Sequence, residues 1–217
     1  MVMTKTRQKK RNIHSRLRTI ELALSVAVAV GLIWGMASLG RQQALADKVV
    51  RLHVLANSDS DEDQALKLQV RDKVVARAAE ILQQTHTRPE AEKALTAALP
   101  EFETLAEQEI QAEGYSYPVT ARLEETEFPT KEYDGFTLPA GEYLALRVVI
   151  GAGAGHNWWC VVFPPLCTAT ETDLAQTAMA AGLSDDDVKL MTEDGNGYVL
   201  KFKSIELWES LKEHFAS

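Results

Sequence analysis

The run "GHNWWCVVFPPLC", Gly155 to Cys167, places a histidine, two adjacent tryptophans, two cysteines and a Pro-Pro within thirteen residues. Cys160 with His156 would be a thiol nucleophile and its base if the two met. On one extended strand, however, four residues separate them by about 13 Å, beyond hydrogen-bond reach. His53, His86 and His214 come with no partner pattern that would replace His156. The same run read as a strand turns Trp158, Cys160 and Val162 to one face and Trp159, Val161 and Phe163 to the other. One tryptophan then enters the core. Its neighbour is either covered from the second side or exposed as a docking aromatic of the kind enriched at protein interfaces. Cys160 and Cys167 are the two cysteines of the chain. With Pro164 and Pro165 turning the chain between them they either form a disulfide, as an oxidising compartment favours, or stay buried thiols.

Two further stretches invite a ligand. "GAGAG", Gly151 to Gly155, spaces its glycines wrongly for G-x-G-x-x-G and is followed by a strand, so no helix N-terminus faces a phosphate and a hairpin loop is the better reading. "NSDSDED", Asn57 to Asp63, has oxygen side chains at alternate positions, but Glu62 stands where a calcium loop needs glycine and Leu68 where it needs a bidentate glutamate. Its acids fit the first turn of a helix, whose dipole they complement. No cofactor and no metal site is expected.

The elements around these residues follow from pattern. Residues 1–46 hold eight basic residues (Lys5, Arg7, Lys9, Lys10, Arg11, Arg16, Arg18, Arg41) against Glu21, a charge of +7; taken from the total of −8, this leaves −15 for residues 47–217. So acidic a body lacks the footprint of a nucleic-acid binder, and no nucleic-acid partner is expected. Leu22 to Gly40 carries no charge. As a helix it spans about 28 Å, close to the hydrocarbon thickness of a bilayer. The basic side precedes it, which puts the N-terminus in the cytoplasm and the acidic body outside. "ALA", Ala44 to Ala46, has the small-x-small form of a signal peptidase site, so a cleaved signal peptide and an uncleaved anchor both remain open for residues 1–46.

The body, residues 47–217, is expected to be one extracytoplasmic α+β domain, a mainly antiparallel sheet covered by helices. Strands are expected in "KVVRLHVLAN", "YPVTARLEETEFP", "EYLALRVVIG", "NWWCVVFP" and "GNGYVLKFK". One helix is expected from Asp61 to Gln84, capped by Ser60, with Leu66, Val70, Val74 and Ile81 and a companion row of Leu68, Val75 and Leu82 facing a core. A second runs from Thr87, with Glu90 at the capping-box position, to a stop at Gly114, and Pro100 should kink or split it. The chain turns helical again from Thr170 to Met191, and "SIELWESLKEHF" is amphipathic through Ile205, Trp208, Leu211 and Phe215.

Four stretches resemble one family, the stage II sporulation protein R of endospore-forming bacteria: "HVLANSDSDEDQALKLQVRD" (His53 to Asp72), "FPTKEYDGFTLPAGEY" (Phe128 to Tyr143), "ALRVVIGAGAGHN" (Ala145 to Asn157) and "NWWCVVFPPLC". From Thr168 onward the resemblance is thin. It implies a signalling protein made in the forespore, exported into the space between the septal membranes, where it triggers a membrane-bound aspartic protease of the mother cell that processes a sigma-factor precursor. It carries no catalytic residues. The long basic N-terminus departs from the family and bears on whether the protein is released or tethered. Asn57, Ser58, Asp59, Ser60, Asn157, Trp158 and Trp159 are the residues expected to face the partner, being polar loop positions and a spare aromatic without assigned chemistry. An extracytoplasmic hydrolase of cell-wall or peptide bonds is the alternative, yet the paired acids or metal ligands at fixed spacing that it needs are not visible. A structural envelope protein that binds no enzyme is a third.

Overall fold

A computed structural model describes residues 3–167, 169–170 and 172–192. The expected strand "GNGYVLKFK" and the helix "SIELWESLKEHF" lie outside the described residues. The chain divides into two compact units, Met1–Gln42 and Gln43–Ser217. Helix α1, Met3–Ala46, contains an apolar stretch from Ile20 to Ala46 long enough to cross a membrane. Its large apolar side chains between Ile20 and Met36 are exposed.

In the second unit a four-stranded sheet forms from β1 (Val50–Leu55), β2 (Val119–Phe128), β5 (Gly141–Ile150) and β6 (Asn157–Phe163), in the order β2-β5-β1-β6. The fold is α+β and the sheet mostly antiparallel, as the pattern predicts. One pairing departs from it: β1 runs parallel to β5, with His53 opposite Arg147. The physical reason is that three helices intervene before the chain returns, and a crossover of that length frees the next strands from hairpin geometry. Every residue of β1 is buried, as suits a central strand covered on both faces.

Helix α2, Asp61–Leu82, starts where the capping pattern put it: the Ser60 side chain accepts from the Asp63 N–H at 3.2 Å, and three acids fill the first turn. Its buried stripe is Leu66, Val70, Val74, Ala78 and Leu82, while Leu68 of the companion row is exposed. An i, i+4 series already supplies a core-facing edge, and Leu68 falls outside it. The second helical stretch is split at Ala98 into α3 (Arg88–Ala97) and α4 (Leu99–Ala112). Pro100 sits in the first turn of α4, where its missing N–H costs nothing. Thr87 makes no side-chain cap bond; instead Glu90 accepts from the His86 N–H at 2.8 Å.

Helices α2, α3 and α4 cover one face of the sheet, where Phe102, Ile110, Leu52, Val54, Leu146 and Val148 are fully or almost fully buried. The other face is covered by a small hairpin, β3 (Lys131–Tyr133) and β4 (Phe136–Leu138), and by α5 (Leu174–Ala180) and α6 (Asp185–Thr192). The strict alternation expected along β6 fails at its end. The register shifts between Val50 and Arg51, opposite Phe163 and Val161, so that Phe163 joins Val162 on the α2 side. One extra residue in an edge strand does this.

Candidate functional site

The β1–α2 loop and the β5–β6 loop form one double loop. The Asn57 Oδ1 accepts from the Ala152 N–H (3.0 Å), the Asn57 carbonyl from Ala154 N–H (3.2 Å) and the Ala56 carbonyl from Gly155 N–H (3.0 Å). Asp63, buried in the first turn of α2, is the hub beneath: its Oδ2 accepts from Asn57 Nδ2 (2.9 Å) and Ser58 Oγ (2.6 Å). Those bonds, led by Ser58, hold its carboxyl below the usual range against the opposing effect of burial. Lys67, also buried, donates to the His156 carbonyl (3.0 Å) and to Gln64 Oε1 (2.6 Å), and burial pushes its pKa down. Asp59 Oδ1 accepts from the His156 N–H (2.6 Å) and lies 2.5 Å from its Nδ1.

This double loop explains "GAGAG". A Cβ on Gly151, at φ +56°, would fall on the Asn57 amide, and one on Gly155 on the Ser58 carbonyl. The missing side chains admit the Asn57 amide at Gly151 and the Ser58 backbone at Gly155. Because Asp63 anchors the assembly, Asp63→Asn, which removes the charge and one acceptor, is expected to cost about 2 kcal/mol. The midpoint and slope of urea unfolding check this.

A second cluster lies on the face opposite α2, and it joins His53, for which the sequence offers no partner pattern, to Trp159 and Asn157. His53 is buried, stacks on Trp159 with ring centroids 3.9 Å apart, and sets its Nε2 2.8 Å from Asn157 Oδ1. Burial is the main reason its pKa falls to about 4; the Asn157 bond and Glu124 oppose this, while Arg147 and Arg51 add to it. Arg51 has no exposed surface. Its guanidinium lies over the rings of Phe128 (3.9 Å) and Tyr143 (4.9 Å) and donates to Tyr133 Oη (2.6 Å). Cation–π contact replaces part of the lost hydration, though Arg51 Nε and Nη1 and His53 Nδ1 find no hydrogen-bond partner among the described residues. The signal for this cluster was "RLH" within a strand, since a strand buried on both sides must place Arg51 and His53 inside.

The expected partner-facing residues therefore divide. Asn57 and Ser58 are half-buried and turned inward on Asp63, whereas Asp59 and Ser60 are exposed. Asn157 and Trp158 are exposed, Trp158 on the α2 side with the Arg71 guanidinium 4.2 Å from its ring centre; Trp159 is half-buried on His53 and Phe128. Cys160 and Cys167 are joined in a disulfide, their Cα atoms 6.1 Å apart, so Cys160 carries no thiol there. Among the described residues no group of three or more His, Cys, Asp or Glu could hold a metal ion. Beside the tryptophans a groove of about 530 Å³ runs along β6, between Arg71 and Asp72 on one side and Tyr133, Asp134 and Phe136 on the other.

Fold and site define the class: an α+β domain following an apolar N-terminal helix, with a braced double loop and an aromatic-lined groove along β6. Residues 46–173 match the family of stage II sporulation protein R, and the chain belongs to that family, whose role is in sporulation. The stage II sporulation protein R of Bacillus subtilis (strain 168) is 40% identical over 123 residues, 57% of this chain and 55% of that protein. The match thus spans about half the length of that relative. No solved structure matches the chain.

Proposed function

We propose that this protein is an extracytoplasmic signalling ligand of sporulation, which triggers a membrane-bound aspartic protease of the mother cell to process a sigma-factor precursor. It performs no chemistry of its own in this reading. The apolar helix of residues 20–46 is compatible with export or with an anchor that holds the domain in the septal space. The observation that carries the reading is Trp158. It is an exposed aromatic beside a groove, held by Arg71 on a strand whose preceding loop is fixed by Asn57, Asp59 and Lys67. Rigid anchors of this kind lose little entropy on binding and dominate interface energetics.

The test is co-expression of the full chain with the protease, scoring precursor cleavage. Trp158→Ala is expected to leave the melting temperature nearly unchanged and to weaken protease binding about 30-fold, the equivalent of about 2 kcal/mol. Unchanged cleavage by a Trp158→Ala chain at limiting concentration would remove Trp158 from the interface. Cleavage that proceeds without this protein at all would overturn the signalling role.

A further inference from the structure

We propose that the outer edge of β6 receives one extended, basic segment of the partner, added to the sheet as a strand; this rests on the signalling reading above. β6 ends the sheet, and among the described residues no strand pairs with its outer side. The direction of its backbone groups follows from one bond: the Val161 N–H donates to Cys167 Sγ (2.9 Å), away from β1. With the period of two in a strand, Trp159 and Asn157, opposite His53 and Leu55, then point their N–H and C=O outward as well, and Trp158 and Cys160, opposite Val54 and Leu52, point theirs toward β1. Four backbone groups are thus offered to a visitor, and what satisfies alternating N–H and C=O groups at strand spacing is another extended backbone.

The shape selects the kind of visitor. Trp158, Trp159 and Cys160 of the edge share the floor of the 530 Å³ groove with Leu166, Cys167 and Ala169, and the groove is walled by α2 through Arg71 and Asp72 and by the β3–β4 hairpin through Tyr133 and Asp134. A second copy of this sheet would bring its own walls to the same line and collide with these, whereas one slender strand fits between them. Charge selects further. Asp72 is paired with Arg71 at 2.6 Å, but Asp134, exposed at the hairpin turn, has no ion pair among the described residues. Among the described residues the rim therefore carries one uncompensated carboxylate, which favours a lysine or arginine in the incoming segment. Trp158 and Trp159 lie on the two sides of the floor, so alternate side chains of the added strand each meet an aromatic wall.

The experiment is amide hydrogen exchange of the full chain in detergent micelles, resolved at residues 156–161, with and without the full-length membrane-bound aspartic protease. In the free chain the Asn157 and Trp159 amides should exchange fast and those of Trp158 and Cys160 slowly. Adding the protease should slow Asn157 and Trp159 by about tenfold or more. Asp134→Lys, an exposed turn position that leaves the sheet intact, should weaken protease binding about fivefold, with Asp134→Asn between it and the parent. Binding without slowing of the Asn157 and Trp159 amides overturns the strand addition and leaves the signalling role standing; absence of binding removes both. A Trp159 amide already slow in the free chain also overturns it: independent of protein concentration, the edge is covered by this chain itself, and rising with concentration, by a second copy. Asp134→Lys binding as tightly as the parent overturns the basic character of the segment.

Discussion

Gly155→Ala is expected to destabilise the protein by about 3 kcal/mol, the upper end of what overpacking costs. The new methyl group would overlap the Ser58 carbonyl oxygen and stand 2.6 Å from its carbon and 2.9 Å from the Ala56 Cβ. None of these can yield as the tip of a long side chain yields. Two are backbone atoms of the loop that Asp63 and Gln64 hold, Gln64 Nε2 donating to that same Ser58 carbonyl at 2.8 Å. Moving the loop also stretches the Gly155 N–H bond to the Ala56 carbonyl. Gly114→Ala is the control. At φ +86°, with nothing within 4 Å of the added carbon, it meets only the left-handed backbone penalty of about 1 kcal/mol. Urea unfolding of the two variants side by side separates collision from conformational strain. Equal losses would mean that the loops are not packed against each other as described.

Acidification is expected to remove about 3 kcal/mol of stability through His53 alone. In the folded protein its pKa is lowered to about 4, whereas the unfolded chain binds the proton near 6.5. Between those values the unfolded state holds a proton that the folded state does not, so stability falls as pH falls from about 6.5 to 4 and levels off below. Burial is the largest effect, and the groups that face His53 divide: the Asn157 bond and Glu124 favour the proton, Arg51 and Arg147 oppose it. Arg51 and Arg147 oppose a further positive charge, and Glu124, which would favour it, lies 2.9 Å from Arg147 Nη1. Protonation would also turn a stacked neutral ring into a cation without water. His53→Gln retains a donor for Asn157 but does not titrate there; its stability should vary less between pH 6.5 and 4 than that of the parent. Parallel curves for the two proteins would place the acid sensitivity elsewhere.

Both expectations rest on partners distant in sequence. Local signals were enough for the elements themselves. β-branched runs ended by Asn, Asp, Gly and Pro marked β1, β2, β5 and β6, and Ser60 with its following acids marked the start of α2. Pro100 marked the break between α3 and α4. Each depends on backbone preferences or side-chain bonds within one turn, which neighbouring residues decide. The uncharged run from Leu22 to Gly40 was as plain, because length and polarity alone set whether a helix can cross a bilayer. The α+β class and the family were legible for the same reason: they reside in the order of such segments and in short runs such as "NWWCVVFPPLC".

The tertiary structure decided what those runs are for. Asn57 and Ser58 look like free loop residues until Asp63 and Ala152, the latter 95 positions from Asn57, are found to occupy them. His53 and Asn157 are 104 residues apart, and Arg51 and Tyr133 are 82. Which tryptophan stays exposed was equally undetermined, because alternation fixes only that Trp158 and Trp159 take opposite faces. The Arg71 side chain on one face and the His53 and Phe128 rings on the other settled it. Strand order and the parallel β1–β5 pair belong to the same category. Periodicity in a sequence states which side chains share a face; what covers that face is set by contacts between distant segments, and burial, charge and pKa all follow from the cover.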